Sequence, residues 1–218
     1  MKAMLALRAE RLDSRERAVG WKLGFGSAAA IEALGTDRPL VGFLTDAVLI
    51  EDGATVSVGS WTKPMLEPEI AVHLAADVED GASWEDVRAA IRGLSTAIEL
   101  ADVEFAPEDP ETILAGNIYS RYVLLGPVDT GRSRADGVSG RLLRNGELVA
   151  ASDDPQELTG EIVEVVRLTG ELLVASGERL RGGNVVITGS VLPPLPVSAG
   201  ETIVAELPPL GSLSVTLE

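Results

Sequence analysis

Three glutamates stand out because each is set among apolar residues. Glu67 and Glu69 lie two positions apart, directly before the largely apolar run Ile70–Leu74, and Glu99 lies between two large aliphatic residues. On a β-strand, residues two apart point to the same face, so Glu67 and Glu69 would enter one space. Like charges that close repel each other unless a proton or a positive charge intervenes.

A divalent cation is one way to hold such a group of acids. The chain has 34 acidic residues, and most of them must be solvated, so the apolar setting is what distinguishes these three. Charged side chains are rarely buried unless they are paired or bind a metal. Carboxylate oxygens suit hard cations, which predicts a Mg²⁺ or Mn²⁺ site with open positions for a chelating substrate.

Two basic side chains could assist this site. Lys22 alternates with Trp21 and Leu23, so it is either an exposed lysine on an edge strand or a partly buried ammonium that binds a carboxylate or moves a proton. His73 is the only histidine and shares a strand face with Glu69. It lies about 13 Å along the strand, at ~3.3 Å per residue, which is too far to share an ion. We therefore expect His73 to be structural.

Two glycine-containing segments could cradle an anion with backbone N–H groups. They are Gly24–Ser27 and Thr188–Ser190, and neither has the spacing of a phosphate-binding loop. Ser190 lacks the strained turn of a hydrolase nucleophile, and a Ser-His-Asp triad is not credible with His73 as the sole imidazole. Asn117 would be an ordinary loop residue on spacing alone.

Composition excludes several classes of function. The chain has 218 residues, no cysteine and a net charge of −16. The absence of cysteine excludes disulfides and thiolate zinc sites. The negative charge argues against nucleic acid or anionic membrane as a partner. The N-terminal residues lack the pattern of a signal peptide, and no apolar run is long enough to span a membrane, so we expect a cytoplasmic protein.

The elements that must position these residues form an α+β, β-rich pattern. Residues 1–19 read as a short N-terminal helical segment and 20–218 as a single domain. Glu67 to Ala75 and Thr96 to Leu100 read as strands, and Asn145-Gly146 as a hairpin turn. Helices are predicted over 28–34, with Ser27 as N-cap, from a capping box at Ser83 to about Leu94, and over 159–176. Further strands are predicted at 47–50, 122–125, 184–190, 202–207 and 212–217.

Several motifs together resemble the 2-keto-4-pentenoate hydratase group of the fumarylacetoacetate hydrolase superfamily, which includes 4-oxalocrotonate decarboxylases. The matching segments occur in the group's order and rough spacing from Gly20 onward: Gly20–Gly24, Glu67–Ala71, Ala97–Glu99, Ala115–Asn117, Arg144–Glu147 and Val186–Ser190.

This resemblance implies a mixed β-sandwich roll that holds Mg²⁺ or Mn²⁺ through Glu67, Glu69 and Glu99. It implies a 2-oxo or 2-hydroxydienoate acid from aromatic catabolism as substrate and a homo-oligomer as assembly. Lys22 and Asp46 would be catalytic, with Asp46 lining the site. Ser190 would contact the substrate, with Asn117 and Ser27 as further substrate-binding candidates.

The resemblance leaves three activities open. They are a hydratase, a decarboxylase or other 2-oxo acid C–C bond enzyme on the same scaffold, and a non-catalytic partner of a same-fold enzyme. Hydrolases of the superfamily use a His-Glu pair in a lid, and His73 does not fit that role. Glu104 stands where the group often has an arginine, which predicts a substrate without a second carboxylate. Gly116 replaces an aspartate of the group, and the N-terminal region is shorter than is usual there.

Overall fold

Two β-sheets form the framework of the computed structural model, which describes all residues from Met1 to Glu218. The helices are α1 (Lys2–Asp13), α2 (Ala28–Leu34), α3 (Trp84–Ala90), α4 (Pro110–Ala115), α5 (Gln156–Thr159) and α6 (Ile162–Val174). The strands are β1 (Ala18–Gly24), β2 (Leu40–Thr45), β3 (Leu49–Ile50), β4 (Ala54–Val56), β5 (Pro64–Leu74), β6 (Ile91–Asp102), β7 (Ser120–Leu125), β8 (Gly140–Arg144), β9 (Glu147–Ser152), β10 (Val185–Ser190), β11 (Leu195–Pro196), β12 (Thr202–Glu206) and β13 (Ser212–Leu217).

The larger sheet is mixed and runs in the order β2-β1-β10-β5-β6-β7-β3, with β11 paired to β5. The pairs β1–β10 and β3–β7 are parallel, and the other pairs of this sheet are antiparallel. The second sheet runs β4-β13-β12-β8-β9. This arrangement confirms the predicted α+β, β-rich fold class.

Strands β5 and β6 form the centre of the larger sheet. They are antiparallel, and Glu67 lies directly opposite Glu99. Pro68 is unusual in a central strand because it cannot donate a ladder hydrogen bond. Its carbonyl accepts from Val191 N–H at 2.8 Å, and the β5–β10 register shifts beside it, between Ile187 and Ser190. The missing donor therefore faces an irregular stretch of the sheet, next to the glutamates.

Local sequence signals explain several element ends. The Ser27 hydroxyl accepts from Ala30 N–H, and Gly35 ends α2 in the left-handed region at φ 64°. Ser83 and Asp86 form the predicted capping box of α3. Asn145 and Gly146, both at positive φ, make the turn between β8 and β9. These predictions are confirmed.

Three predicted boundaries are wrong. Helix α3 ends at Ala90, not near Leu94, because the chain passes directly into β6, whose apolar residues are buried in the sheet. Residues 47 and 48 belong to a 3₁₀ turn, so the strand predicted over 47–50 begins two residues later, as β3. The N-terminal helix ends at Asp13, and β1 begins at Ala18, inside the segment predicted to be helical.

The N-terminal helix packs on the rest of the protein. Met4 of α1 is fully buried within the main hydrophobic core, which draws on both sheets and on α6. Arg8 pairs with Glu178 at 3.2 Å and lies over the Trp21 ring. The division into residues 1–19 and one domain over 20–218 stays a prediction. None of the helices is both long and apolar enough to cross a membrane.

Candidate metal centre and cavity

The three glutamates selected from the sequence meet at one point in the larger sheet. Each of them offers a carboxylate oxygen, and these oxygens all lie within 4.8 Å of one another. Glu67 and Glu69 come from the same face of β5, and Glu99 comes from β6 opposite Glu67. Glu69 and Glu99 are 1% and 2% exposed, and Glu67 is partly buried. Strand alternation and β5–β6 register together therefore build the cluster.

Lys22 brings one positive charge to this cluster. It comes from β1, is 2% exposed, and forms an ion pair with Glu99. Its ammonium also donates to the carbonyl oxygen of Ile118 at 3.1 Å. Three carboxylates and one ammonium leave two formal negative charges when all groups are ionised. This is the charge that a divalent cation would neutralise.

The surroundings hinder the ionisation of two of these acids. Burial raises the pKa of Glu67 to about 7, with a further contribution from the charge of Glu99 and an opposing one from Lys22. Burial also raises the pKa of Glu69 well above its usual value, and the charges of Glu99 and Glu67 add to this effect. The cluster thus favours an additional positive charge, either protons or a metal ion.

A backbone N–H partly compensates Glu69. Gly189 N–H donates to Glu69 Oε2 at 2.7 Å, and Gly189 has a φ of 91°, which an L side chain rarely adopts. The segment Thr188–Ser190 therefore cradles an anion, as its glycine indicated, and the anion is the protein's own carboxylate. Thr188 is held in turn by a hydrogen bond from its hydroxyl to the carbonyl of Ile70 at 3.1 Å.

A cavity of about 550 Å³ opens over the cluster. Four charged residues line it, namely Lys22, Glu67, Glu99 and Lys63. Its hydroxyl groups come from Ser27, Tyr119, Thr159, Thr188 and Ser190, and apolar side chains form much of the rest. An enclosure of this size, with polar groups concentrated in one region, suits a small organic acid.

Comparison with protein families identifies the fold. The family described as fumarylacetoacetate (FAA) hydrolase C-terminal matches residues 18–218. The chain belongs to this family. Other members of the family are enzymes. The central sheet and its acidic cluster lie inside the matched region.

Named relatives of this family member are similar along most of their length. A 2-hydroxyhexa-2,4-dienoate hydratase from Comamonas testosteroni is 30% identical over 213 residues, which cover 94% of this chain and 80% of the relative. A 4-oxalocrotonate decarboxylase from Pseudomonas putida is 29% identical over 217 residues, covering 95% and 80%. The solved structure of 4-oxalocrotonate decarboxylase from Pseudomonas putida G7, complexed with magnesium and adipate, matches with a TM-score of 0.91 at 26% identity, covering 99% of this chain and 83% of that one.

The residues of this family member fit a hard divalent cation. The donors are carboxylate oxygens only, they lie within 4.8 Å of one another, and burial raises the pKa of two of the acids. Because the site includes no histidine and the chain no cysteine, its chemistry favours Mg²⁺ or Mn²⁺ over softer metals.

The two serines selected from the sequence line the cavity of this family member. The Ser27 hydroxyl caps α2 by accepting from Ala30 N–H at 3.2 Å. Ser190 Oγ donates to the carbonyl of Leu192 at 2.5 Å. The Ser27 hydroxyl therefore keeps its hydrogen free to donate, whereas Ser190 has used its only donor and can still accept.

Asn117 lies behind the cavity lining rather than on it. Its side-chain amide accepts from Phe43 N–H at 2.8 Å and donates to Phe43 O at 3.0 Å. Asn117, Ile118 and Tyr119 have φ values of 52°, 53° and 61°, so three successive non-glycine residues are left-handed. Asn117 thereby fixes to β2 the turn whose Ile118 carbonyl holds Lys22.

Asp46 lies outside the cavity lining, although the resemblance placed it at the site. Its carboxylate accepts from Arg17 N–H and Arg17 Nε, both at 2.7 Å. These bonds, the backbone N–H first, lower the pKa of Asp46. The side chain therefore joins the start of β1 to the end of β2.

His73 is placed as the sequence indicated, away from the glutamate cluster. Its Nε2 lies 2.9 Å from Ser95 Oγ, and it does not line the cavity. Burial lowers the pKa of His73, and the charge of Arg92 lowers it further. These contacts are consistent with a structural histidine.

Glu104 faces a different cavity from the one over the cluster. It pairs with Arg121, and both line a second cavity, also of about 550 Å³, with Asp102 and Tyr122. Asp102 alternates along β6 with Glu99 and Ala101, which line the cavity over the cluster, so the second cavity lies on the opposite face of that part of the sheet.

Sequence reasoning missed two groups of the site. The Ile118 carbonyl that holds Lys22 depends on a left-handed turn of non-glycine residues, for which the sequence carries no recognisable signal. Lys63 also lines the cavity, and it was not among the basic side chains selected from the sequence. Extending the strand alternation back from Glu67 through Met65 would have placed Lys63 on the same face.

Proposed function

We propose that this protein is a divalent-metal-dependent hydratase, a lyase that adds water to a 2-hydroxydienoate or 2-oxo-alkenoate. The observation that carries the proposal is the convergence of three carboxylates and the buried Lys22 at the floor of a cavity. The names of the hydratases and decarboxylases among its relatives support a small unsaturated 2-oxo acid as substrate.

Glu67, Glu69 and Glu99 would hold the Mg²⁺ or Mn²⁺ ion. When bound, such an ion would supply Lewis-acid chemistry, withdrawing negative charge from the oxygen of a 2-oxo group. The glutamates keep it at the base of the cavity, and Gly189 N–H orients Glu69 for this role.

Lys22 Nζ would carry the proton. An ammonium has three N–H donors, and two are taken by Glu99 and the Ile118 carbonyl. The third can point to a bound acid, where it would donate a proton to the conjugated chain, and the lysine would regain a proton from the water that adds to the acid. Because Glu99 and Ile118 fix the nitrogen, the transfer needs little reorganisation.

The remaining side chains would bind and orient the substrate. Ser27 and Ser190 offer hydroxyls on the cavity lining, and we propose that they contact the acid. For Asn117 we propose a positioning role, since its amide is engaged by Phe43. For Asp46 we propose a role in fixing the start of β1 through Arg17, in place of the catalytic role that the resemblance implied.

Decarboxylation of a 4-oxalocrotonate-type acid is the second candidate. It is favoured by the similarity to the decarboxylase of Pseudomonas putida G7, at a TM-score of 0.91. The same polarised 2-oxo group and the same lysine would serve that reaction. The third possibility, a non-catalytic subunit, finds no support in the site, because all three carboxylates and the lysine are present and in contact.

The test follows the two reactions separately. The absorbance of 2-hydroxypenta-2,4-dienoate is recorded with Mg²⁺, with Mn²⁺ and with a chelator, and CO₂ release is measured from 4-oxalocrotonate. We expect metal-dependent loss of the dienoate without CO₂. Lys22→Met should lower kcat by roughly 10²- to 10⁴-fold, the usual contribution of general acid–base catalysis.

A matched lysine variant controls for the loss of charge. Lys2 is exposed on α1, so Lys2→Met should retain full activity. CO₂ release with no hydration of the dienoate would replace the first candidate by the second. No turnover of either acid in the presence of metal would refute both.

Assembly and location belong to the same proposal. Leu148 and Val149 of β9 are 52% and 44% exposed, and β9 is an edge strand of its sheet. Exposed apolar edges favour association, which supports a homo-oligomer, and the molar mass in solution measures it. A cytoplasmic location and a same-fold partner enzyme stay predictions.

A further inference from the structure

The second cavity, which contains Glu104 and Arg121, is separate from the cavity over the glutamate cluster. Each has a volume of about 550 Å³, and the two have no lining residue in common. The proposed reaction takes place in the first cavity, so the second has no part in it. A cavity of this volume is in the range of sites that bind small molecules.

The charges around the second cavity balance one another. Its lining contains two arginines and two acids, namely Arg11, Arg121, Asp102 and Glu104. Arg121 pairs with Glu104 and also lies 3.5 Å from the Asp102 carboxylate, and Arg11 pairs with Glu16 at 3.4 Å. An ionic ligand would have to compete with one of these pairs. A neutral ligand could instead use the remaining N–H groups and lone pairs, so the lining favours a neutral polar molecule.

Two aromatic rings contribute to the lining of the second cavity. They belong to Trp61 and Tyr122, with ring centroids 6.2 Å apart and planes inclined by 22°. Nearly parallel rings in contact are only about 3.5 Å apart, so these two must be offset, and each leaves part of the other's face uncovered. The face of an aromatic ring is negative. It attracts the C–H bonds of a sugar ring, which the neighbouring oxygens make slightly positive.

One hydroxyl group at the second cavity lacks a hydrogen-bond partner. Ser120 lines this cavity, and its Oγ is buried and unpaired in the protein, whereas most buried polar atoms are paired. A single torsion moves the oxygen of a serine, so the group can turn toward a ligand. A ligand hydroxyl that pairs with it would offset the free-energy cost of leaving it unpaired.

We propose that the second cavity binds a neutral monosaccharide. The sugar ring would lie against Trp61 and Tyr122, and one of its hydroxyls would pair with Ser120. The others would donate to the two carboxylates and accept from Arg121. Because each sugar hydroxyl both donates and accepts, such a ligand matches a lining with both kinds of group and leaves the ion pairs in place. The site requires neither the metal ion nor the 2-oxo acid of the proposed function.

The test uses D-glucose and D-ribose as probes, with binding followed by ligand-detected NMR and by tryptophan fluorescence. The chain has three tryptophans, and only Trp61 lines either of the two cavities. At least one sugar should bind with a Kd of about 0.1–10 mM and change the fluorescence. Because the ligand is neutral, its affinity should not change as salt is added.

The variant Ser120→Ala separates a binding role from a structural one. It removes an unpaired buried hydroxyl, so the melting temperature should stay the same or rise. The affinity for the sugar should fall about 2- to 12-fold, which corresponds to the loss of one hydrogen bond. The matched control is Ser57→Ala, because Ser57 is exposed and lies outside the cavity lining. It should bind the sugar as the wild type does.

A second variant tests the aromatic contact. Trp61→Leu keeps an apolar side chain and removes the ring, so it should lower the affinity about 2- to 12-fold and abolish the change in fluorescence. Trp84→Leu is its control, since Trp84 lies on α3 and lines neither cavity. If Trp61→Leu does not fold, Ser120→Ala still decides whether the sugar occupies this cavity.

Three results would overturn the proposal. The first is that neither sugar binds at concentrations above the expected Kd range. The second is that Ser120→Ala binds the sugar as tightly as the wild type does. The third is that D-glucose 6-phosphate binds more tightly than D-glucose and loses this advantage in salt, because the cavity would then select an anion.

The proposed function is judged by a separate measurement. A chelator and the variant Glu69→Gln should leave sugar binding unchanged, although both should abolish turnover of the dienoate. Sugar binding that requires Mg²⁺ would locate the sugar at the glutamates and refute the second site. A protein that binds the sugar and turns over neither acid would refute the proposed function alone.

Discussion

Glu67 is an acid of the cluster whose pKa is raised into the neutral range. Burial and the charge of Glu99 raise its pKa to about 7, whereas an unfolded chain would ionise near the ordinary value of about 4.3. Without a cation, the folded state gains from the proton below the unfolded pKa and loses that gain as pH rises toward 7. A cation must displace the same proton, so metal binding and pH are linked at this residue.

The first prediction concerns the melting temperature. Mg²⁺ or Mn²⁺ should raise the melting temperature of the wild type, and more at about pH 8 than at about pH 5.5, because the ligands must be ionised. Glu69→Gln should abolish the rise, since it removes a ligand that is 1% exposed. Thermal melts with and without metal at both pH values measure this effect.

The control for that measurement is Glu147→Gln, a change at the exposed start of β9. It should leave the metal effect unchanged. A wild type whose melting temperature does not respond to either metal at the higher pH would contradict the assignment of the cluster.

For His73 we predict that the contribution to folding stability changes with pH in the direction opposite to that of Glu67. Its pKa is lowered by burial and by Arg92, so the folded state resists protonation. Its contribution to stability is present above the unfolded pKa of about 6.5 and is lost as pH falls toward the folded value. The difference in unfolding free energy between the wild type and His73→Gln should therefore shrink from about pH 7.5 to about pH 5.5. Denaturant melts test it, and a difference that is constant with pH would refute it.

Strand β2 supports the site at the scale of whole elements. It packs beside β1 with Gly42 opposite Lys22, and the left-handed turn at Asn117 is tied to it. A Cβ on Gly42 would lie 2.8 Å from Asn117 Oδ1 and 2.9 Å from Lys22 Cγ. Glycine at this point lets the lysine and the turn approach the strand together.

We therefore predict that Gly42→Ala impairs both stability and catalysis. Overpacking of this kind costs about 1–3 kcal/mol, and a displacement of Lys22 by about 1 Å could cost roughly 10²-fold in rate. Melting temperature, kcat and KM are measured, and kcat should fall more than KM rises. Gly59→Ala is the matched control, because its Cβ would meet no atom within 4 Å. A variant that is less stable yet has normal kcat would show that Lys22 keeps its place.

Elements with strong local signals could be predicted from the sequence. The hairpin at Asn145-Gly146, the cap at Ser83 and the acidic strand at Glu67 all rest on neighbouring residues. The end of α3 could not be predicted, because Ile91 to Leu94 fit a helix locally and the sheet takes them through burial. The pairing of Glu67 with Glu99 was inferred only as proximity, since register depends on contacts remote in sequence.

At the scale of the whole molecule, the site combines groups from four strands and one turn. The acids on β5 and β6 could be predicted, because the alternation of side chains along a strand and the apolar setting can both be read from neighbouring residues. Lys22 on β1 could only be proposed, because its approach to Glu99 depends on how β10 joins the two parts of the sheet. The role of the Ile118 carbonyl could not be predicted, since every residue has a backbone carbonyl and the residue type does not show which one is used.

The net charge of the buried cluster also affects the order in which the metal ion and the acid bind. Ionised, it carries two more negative charges than positive ones, and a 2-oxo acid is itself an anion. Under the proposed function, the acid is repelled until a cation has entered, so the two ligands should bind in a compulsory order with the cation first. Initial velocities measured over a grid of metal and acid concentrations would then show the pattern of an ordered mechanism. A chelator would compete with the enzyme for the metal ion before the acid binds.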